Sequence, residues 1–402
     1  MKIARRLLVP ATVFVALCLA AGASPAIGAS PGPPGWTQSG YSWTHTASNP
    51  RETTLSPTNV GSLEVAWSRS LGVDQSVEAS VAVSGGRAYV LTFDGTLAAL
   101  QAATGRRVWS VSVGGSSATT SPALTAHDVI ASYETDHAWT AAFDRQTGAR
   151  TWTASLSGHA TMATPVVVGN AVYLATGSDI YRLSASTGDI VWHRTITTDP
   201  ESSGVWGPVA VSADGAHVVA ATLDGTVFDL RTSTGAIRWQ TTAGGGIFRG
   251  GPAISGDTIY VPEGATGAEG GGFDIVALRL ADGVQVWRGF AGDDIHTTPA
   301  VGGGLVYIGA IDTGFRALDA GTGAERWAIE SLPEIWSQAA VANGVVYVST
   351  ESTFFAADAR TGTQLFSTVI GSGFANMSPP VVWSGRVYVG SGEGIVRAYS
   401  LR

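Results

Sequence analysis

The chain has 402 residues, 45% hydrophobic and only 13% charged, with a formal net charge of −8. So apolar a composition excludes a disordered protein, and an acidic balance excludes nucleic-acid binding, which needs basic surface to displace phosphate counterions. The 52 glycines and 17 prolines run along the whole length, which indicates many turns between short strands and an all-β fold.

In chain order, Lys2, Arg5 and Arg6 precede an apolar run from Leu7 to Ala21, followed by small residues that offer cleavage after Ala23 or Ala29. This is the pattern of a secretory signal peptide over residues 1–29 and predicts a secreted, extracellular protein. The run is shorter than the ~20 residues of a spanning helix, so no membrane span is expected. Losing the leader removes three positive charges and takes the net charge from −8 to −11. It also removes Cys18, the only cysteine, and Lys2, the only lysine. The rest of the chain therefore has no disulfide, thiolate metal site, cysteine nucleophile, covalent haem or lysine Schiff base.

An N-terminal segment, residues 30–62, leads into a tandem repeat over residues 63–402. Each repeat has a small residue and proline opening an apolar run, then a Val-Tyr-Val strand, a strand ending near Ala-Leu, and finally Thr-Gly-x-x-x-Trp. The last element recurs as Thr104-Gly105 with Trp109, Thr147-Gly148 with Trp152, Thr187-Gly188 with Trp192, and Thr234-Gly235 with Trp239. Asp282-Gly283 with Trp287, Thr322-Gly323 with Trp327, and Thr361-Gly362 with Phe366 continue it. With Trp67, these aromatic strands lie 42, 43, 40, 47, 48, 40 and 39 residues apart, the period of one four-stranded blade. A helical solenoid is excluded by the period of two in Gly344 to Ser349 and by the β-branched composition.

The reading is an eight-bladed β-propeller of four-stranded antiparallel blades. Glycine supplies positive φ in the Thr-Gly turn. Each tryptophan buries its ring between blades, for roughly 2 to 3 kcal/mol of transfer energy. The strand from Leu63 to Ser70 precedes the first full repeat, and the last repeat stops after its third strand at Ile395 to Leu401. The N-terminal strand is therefore expected to complete the last blade and remove two sheet edges.

The repeat, with its Ser-Pro-Ala-Val, Val-Tyr-Val-Gly, Ala-Leu-Asp and Thr-Gly-x-x-x-Trp elements, resembles that of pyrroloquinoline-quinone (PQQ)-binding, quinoprotein-type propellers over about residues 36–402. Trp36, the run Asn49-Pro50-Arg51-Glu52-Thr53-Thr54-Leu55-Ser56-Pro57, Asn59-Val60-Gly61, Leu63 and Trp67 are similar to the start of quinoprotein alcohol dehydrogenases, particularly polyvinyl-alcohol dehydrogenases. The same repeat also builds a non-enzymatic lipoprotein that scaffolds outer-membrane assembly in Gram-negative bacteria. The resemblance thus implies a fold, and the activity has to come from the site. The dehydrogenases' adjacent cysteine pair and Cys-x-x-Cys-His haem motif have no counterpart in a chain without cysteine.

Propellers present their functional surface where the innermost strands begin, around the axis. Aligning the repeats on the opening proline and reading the residue three before that position, to within one, gives the ring Glu78, Thr119, Met162, Val205 or Trp206, Arg249, His296, Trp336 and Asn376. A structural ring would repeat small or apolar residues, so this departure marks a candidate ligand face. For a small planar anion such as the quinone, Arg249 would grip a carboxylate and Trp206 or Trp336 would stack. Glu78 and Asn376, in blades adjacent after closure, would offer oxygen ligands to calcium. The resemblance implies an aspartate base, but the alignment puts His296 there, with Asp293 and Asp294 close by. His296 reads as a base or as a hydrogen-bonded loop histidine. Arg249 reads equally as neutralising an acidic rim of Asp74, Asp199, Glu201, Asp293, Asp294, Glu330 and Glu334. Gly264 to Gly272 reads as a surface loop.

Two functions follow. One is a secreted, monomeric binding or scaffold module at the cell envelope, with a protein or polymer partner on the axial face. The other is a PQQ- and calcium-dependent alcohol or sugar dehydrogenase.

Overall fold

The computed structural model describes residues 34–402 except 73–74, 117–119, 160–163, 245–249, 264–272, 293–294, 312–313 and 372–377. The leader reading, and the candidates Thr119, Met162, Arg249 and Asn376, therefore lie outside the described residues.

Within each repeat four short strands pair with their sequence neighbours, because their connections are short, two to five residues in all but the one over 264–272. The first blade takes Ala82–Ser84, Arg87–Leu91, Thr96–Gln101 and Arg107–Ser112 in order from the axis outward. Seven further sheets repeat the pattern, and the last is completed by Glu64–Ser70 lying antiparallel to Ile395–Ser400. The eight-bladed propeller and its closure by the N-terminal strand are as the sequence predicts.

The period-two alternation sorts side chains between neighbouring blades rather than between core and solvent. Tyr89 and Leu91 pack with Leu124, Val129 and Ala131 of the second blade, whereas Ala88 and Val90 pack with the eighth. Both faces of the inner strands are consequently buried, and only the outermost strands alternate towards solvent.

The tryptophans join the blades as expected, with a geometry that explains the motif. The indole Nε1–H of Trp109 donates to the Arg145 carbonyl of the next blade at 3.1 Å, and Trp67, Trp152, Trp192, Trp239, Trp287 and Trp327 make the same bond. Each ring lies on the glycine of that blade's Thr-Gly turn. At Gly235, φ is +67° and a Cβ would come within 2.6 Å of the Trp192 ring. The glycine is thus required twice, for backbone conformation and for contact. The inner-strand tyrosines converge on the same acceptors: the Ala320 carbonyl takes Trp287 Nε1 at 3.0 Å and Tyr260 Oη at 3.1 Å. Phe366 has no such turn to meet, because the chain ends occupy that place in the eighth blade, and it packs on Phe354 and Tyr399.

The N-terminal segment supplies a feature the sequence reading did not anticipate. From Gly35 to Asn49 it circles the inside of the ring and meets each innermost strand in turn. Gly35–Trp36 pairs with the first blade, the Thr37 carbonyl accepts from Leu124 N–H in the second, and Gln38 Oε1 accepts from Val167 N–H in the third. The carbonyls of Trp43, Thr44, Thr46 and Ala47 accept from Val211, Ile254, Val301 and Val341, and Asn49 Nδ2 donates to Val382 O at 2.6 Å. Tyr41, His45 and Ala47 take φ of +70°, +56° and +51° to follow the circle. Its signal in the sequence is two tryptophans and no charged residue between Pro34 and Pro50.

Two substitutions separate the glycine's two roles. Gly215 has φ +70° and no atom within 4 Å of a built Cβ. Gly215→Ala should cost about 1 kcal/mol for the left-handed conformation alone. Gly235→Ala should cost at least twice that, about 2 kcal/mol or more, because the indole must also move. Equal denaturation midpoints for the two variants would refute the docking role. Deleting residues 63–70 should leave the protein unfolded or oligomeric in sedimentation; a monomer that melts cooperatively would contradict the closure.

Candidate functional site

Strand direction puts the start of every innermost strand at one end of the ring. There small side chains fasten one blade to the next. Ser80 N–H donates to Ser121 Oγ at 3.0 Å, Ser121 N–H to Thr164 Oγ1 at 3.2 Å, and Gly251 N–H to Thr298 Oγ1 at 2.9 Å. Where the residue before the proline is Ser121, Thr164 or Thr298, its hydroxyl accepts from the neighbouring blade's backbone. Thr297 and Ser337, one position earlier, donate back to Gly309 and Ser349 carbonyls in their own blades.

Above this ring lies a cavity of about 280 Å³, open to solvent, to which all eight blades contribute. Glu78, Ser121, Thr164, Trp206 with Pro208, Gly250, His296 with Thr298, Trp336 with Gln338, and Pro379 line it, and Ser39 of the circling segment forms part of its floor. Of the ring read from the sequence, Glu78, Trp206, His296 and Trp336 therefore come together. Val205, the alternative to Trp206, is buried in the core beside Val209.

Glu78 is half-buried and accepts from Ser76 Oγ at 2.8 Å, and burial pushes its carboxyl above the usual range despite that bond. Trp206 is 36% exposed. Trp336 donates Nε1–H to Glu334 at 2.8 Å, and its ring meets that of His296 edge-on, with centroids 4.9 Å apart and planes at 87°.

These residues do not fit the quinone–calcium pair. A planar polyanion calls for cationic partners, and the described lining holds one carboxylate and no arginine or lysine. No group of three or more His, Cys, Asp or Glu able to hold a metal occurs among the described residues. Glu78 is thus the only proposed calcium ligand that can be placed, and it has no described acidic partner.

The N-terminal motif that carries the dehydrogenase resemblance is occupied with structural work. Glu52 Oε1 accepts from Thr54 and Leu55 N–H, and its Oε2 from Gly385 N–H of the eighth blade. Asn59 closes its own turn through Ser56 N–H and Thr54 O, and Asn343 of the seventh blade donates to Leu55 O. Trp36 is 1% exposed. None of these residues lines the cavity.

Comparison with known proteins follows the same division. The family model described as outer membrane protein assembly factor BamB matches residues 43–214, 202–288 and 223–395. Among curated proteins, the serine/threonine-protein kinase AfsK of Streptomyces griseus is 29% identical over 202 residues, 46% of this chain and 24% of that protein. BamB of Burkholderia pseudomallei (strain K96243) is 32% identical over 128 residues, 31% of this chain and 32% of that protein. The chain thus spans no more than about a third of the length of these relatives. Among solved structures, BamB from Moraxella catarrhalis superposes with a TM-score of 0.70 at 15% identity, over 84% of this chain and 99% of that one. A europium-containing methanol dehydrogenase reaches 0.75 at 14% identity, over 92% and 98%. At such identities the likeness is one of fold.

One residue in the circling segment carries a measurable acid response. His45 is fully buried, neither ring nitrogen has a partner, and burial lowers its pKa to about 4. The unfolded chain takes up this proton near pH 6.5 and the folded chain only near pH 4, so stability is lost as pH falls through that window, by about 3 kcal/mol at its lower end. His45→Asn, which tolerates the left-handed backbone, should flatten this part of the stability–pH curve. An unchanged slope between pH 6.5 and 4 in denaturant melts would exclude His45 as the source.

Proposed function

The chain belongs to the family of the outer membrane protein assembly factor BamB, and from that premise we propose that it is a binding or scaffold module at the cell envelope. Residues 1–29 act as its secretory leader, residues 30–62 as the segment that enters the ring, and residues 63–402 as the propeller. The partner is a protein or polymer, and it engages the axial end. Among the described residues no helix is long and apolar enough to cross a membrane.

The observation that supports this reading best is the composition of the axial cavity. Eight blades converge on aromatic and hydroxyl side chains around a single carboxylate among the described residues. Such a lining offers stacking faces and hydrogen-bond partners, which is what recognition needs. It offers no described pair of groups with separated acid and base roles, which is what catalysis needs. The dehydrogenase reading draws on the N-terminal motif, and that motif's side chains are consumed in holding the segment to the seventh and eighth blades.

A photoreactive amino acid placed at Trp206, and separately at Arg360 in a turn at the opposite end, tests the face. Exposure to envelope extracts should give discrete adducts from position 206 and none from position 360. The reverse pattern, or none from either, would overturn the proposal. A parallel titration with pyrroloquinoline quinone and calcium should give neither saturable quenching of tryptophan emission nor dye-linked alcohol oxidation. Calcium-dependent oxidation abolished by Trp336→Ala would establish the dehydrogenase instead.

A further inference from the structure

The two ends of the propeller differ in charge, and the difference follows from the topology. Strand direction brings to the axial end the turns between second and third strands and the loops that lead from one blade to the next. These carry Asp94, Asp136, Asp199, Asp224, Glu334 and Glu393 from blades all around the ring. In the same stretches of sequence the only arginine or lysine is Arg249, outside the described residues. The turns at the other end mix the two signs, carrying Asp189, Asp214, Asp257 and Asp282 beside Arg51, Arg106, Arg145 and Arg360, so acid without base is confined to the axial end. An acidic surface alone marks nothing, since solvated carboxylates are ordinary. Here it surrounds a built cavity, and the interior of that cavity has the same preference.

Trp206, Trp336 and Glu78 belong to the fourth, seventh and first blades, so they line the one cavity from well-separated directions about the axis. An indole presents a negative face to a ligand. Trp206 is 36% exposed, and Trp336 is fixed by its bond to Glu334 and by the edge of His296. Glu78 uses one carboxylate oxygen towards Ser76 and takes no hydrogen bond at the other from a described residue. Two aromatic faces and a half-buried carboxylate around a cavity of about 280 Å³ form a cage for a group of side-chain size. Electrostatically, every one of these elements attracts positive charge.

We propose that the axial cavity binds an organic cation, an ammonium or guanidinium group, between Trp206 and Trp336 with Glu78 as its counter-ion. The proposal rests on the axial end being the binding face and names the chemistry that end recognises. The surrounding acidic loops then extend the same preference beyond the cavity, so that a basic polypeptide segment gains from both.

Calorimetry with N-acetyl-lysine amide, N-acetyl-arginine amide and tetramethylammonium, and separately with an oligolysine peptide, tests it. The small cations should bind saturably and compete with one another. Glu78→Gln, a near-isosteric change at a half-exposed position, and Trp336→Ala should each weaken them roughly tenfold; Trp206→Ala supplies a second aromatic variant if Trp336→Ala fails to fold. Additional, salt-sensitive affinity for oligolysine supports the proposal with a polypeptide as the source. Binding of the small cations alone supports it with a free amine as the source. No saturable binding of any cation, equal binding by Glu78→Gln, or tighter binding of citrate that Arg249→Ala abolishes would each overturn it. Adducts from position 206 without cation binding leave the axial face standing and remove only this inference, whereas failure of both removes the face.

Discussion

The indole of each repeat's tryptophan rests on the glycine of the next repeat's turn and donates to a carbonyl beside it, and the ring depends on that contact. It fixes three things together: the distance between blades, their angle, and the conformation of the turn. The flat indole needs a seat that admits no Cβ, which is why glycine and tryptophan occur as a pair one repeat apart. Any looser contact would let successive blades drift and open the disc. The exception supports the argument, since the one aromatic strand facing the chain ends carries Phe366, with no donor and no glycine to meet. At that seam backbone pairing between Glu64–Ser70 and Ile395–Ser400 holds the ring instead.

The innermost strands pose a second problem, because they are edge strands facing a channel, and their unpaired amides would be exposed to it. The segment Gly35–Asn49 answers this blade by blade. Its left-handed residues and its uncharged composition follow from lying in a narrow buried circle. His45, held neutral there, is tolerated because its surroundings disfavour the charged ring. The same segment reaches the axial cavity, where Ser39 joins the lining.

The sequence shows the ring clearly because the ring is periodic. Thr-Gly-x-x-x-Trp recurs at intervals that only a blade explains, and the unpaired strands at the two ends identify the closure. The path of Gly35–Asn49 is not periodic, and its contacts reach partners as distant as Val382, so no local pattern encodes it. The axial ring stands between these cases. Aligning the repeats on the opening proline, with Val81 and Ala339 in its place in the first and seventh, finds Glu78, His296 and Trp336 directly and Trp206 to within one residue. The count has no power to say what those residues are for. The N-terminal motif is legible for a different reason, since Asn49, Glu52 and Asn59 serve the fold of this chain and stand apart from the axial cavity.

That separation of roles explains how one scaffold serves unrelated functions. Ser121, Thr164 and Thr298 hold the blade starts in place through backbone bonds, so the residues two positions before them can change without disturbing the ring. Chemistry at the axis is then decided by a few side chains on a fixed circle. A circle furnished with several carboxylates and cations brings together metal ligands and a polyanionic cofactor. One furnished with two indoles, an imidazole and a single carboxylate, inside an acidic collar, presents a negative aromatic surface and no described electrophile. The physical preference of such a circle is for positive charge.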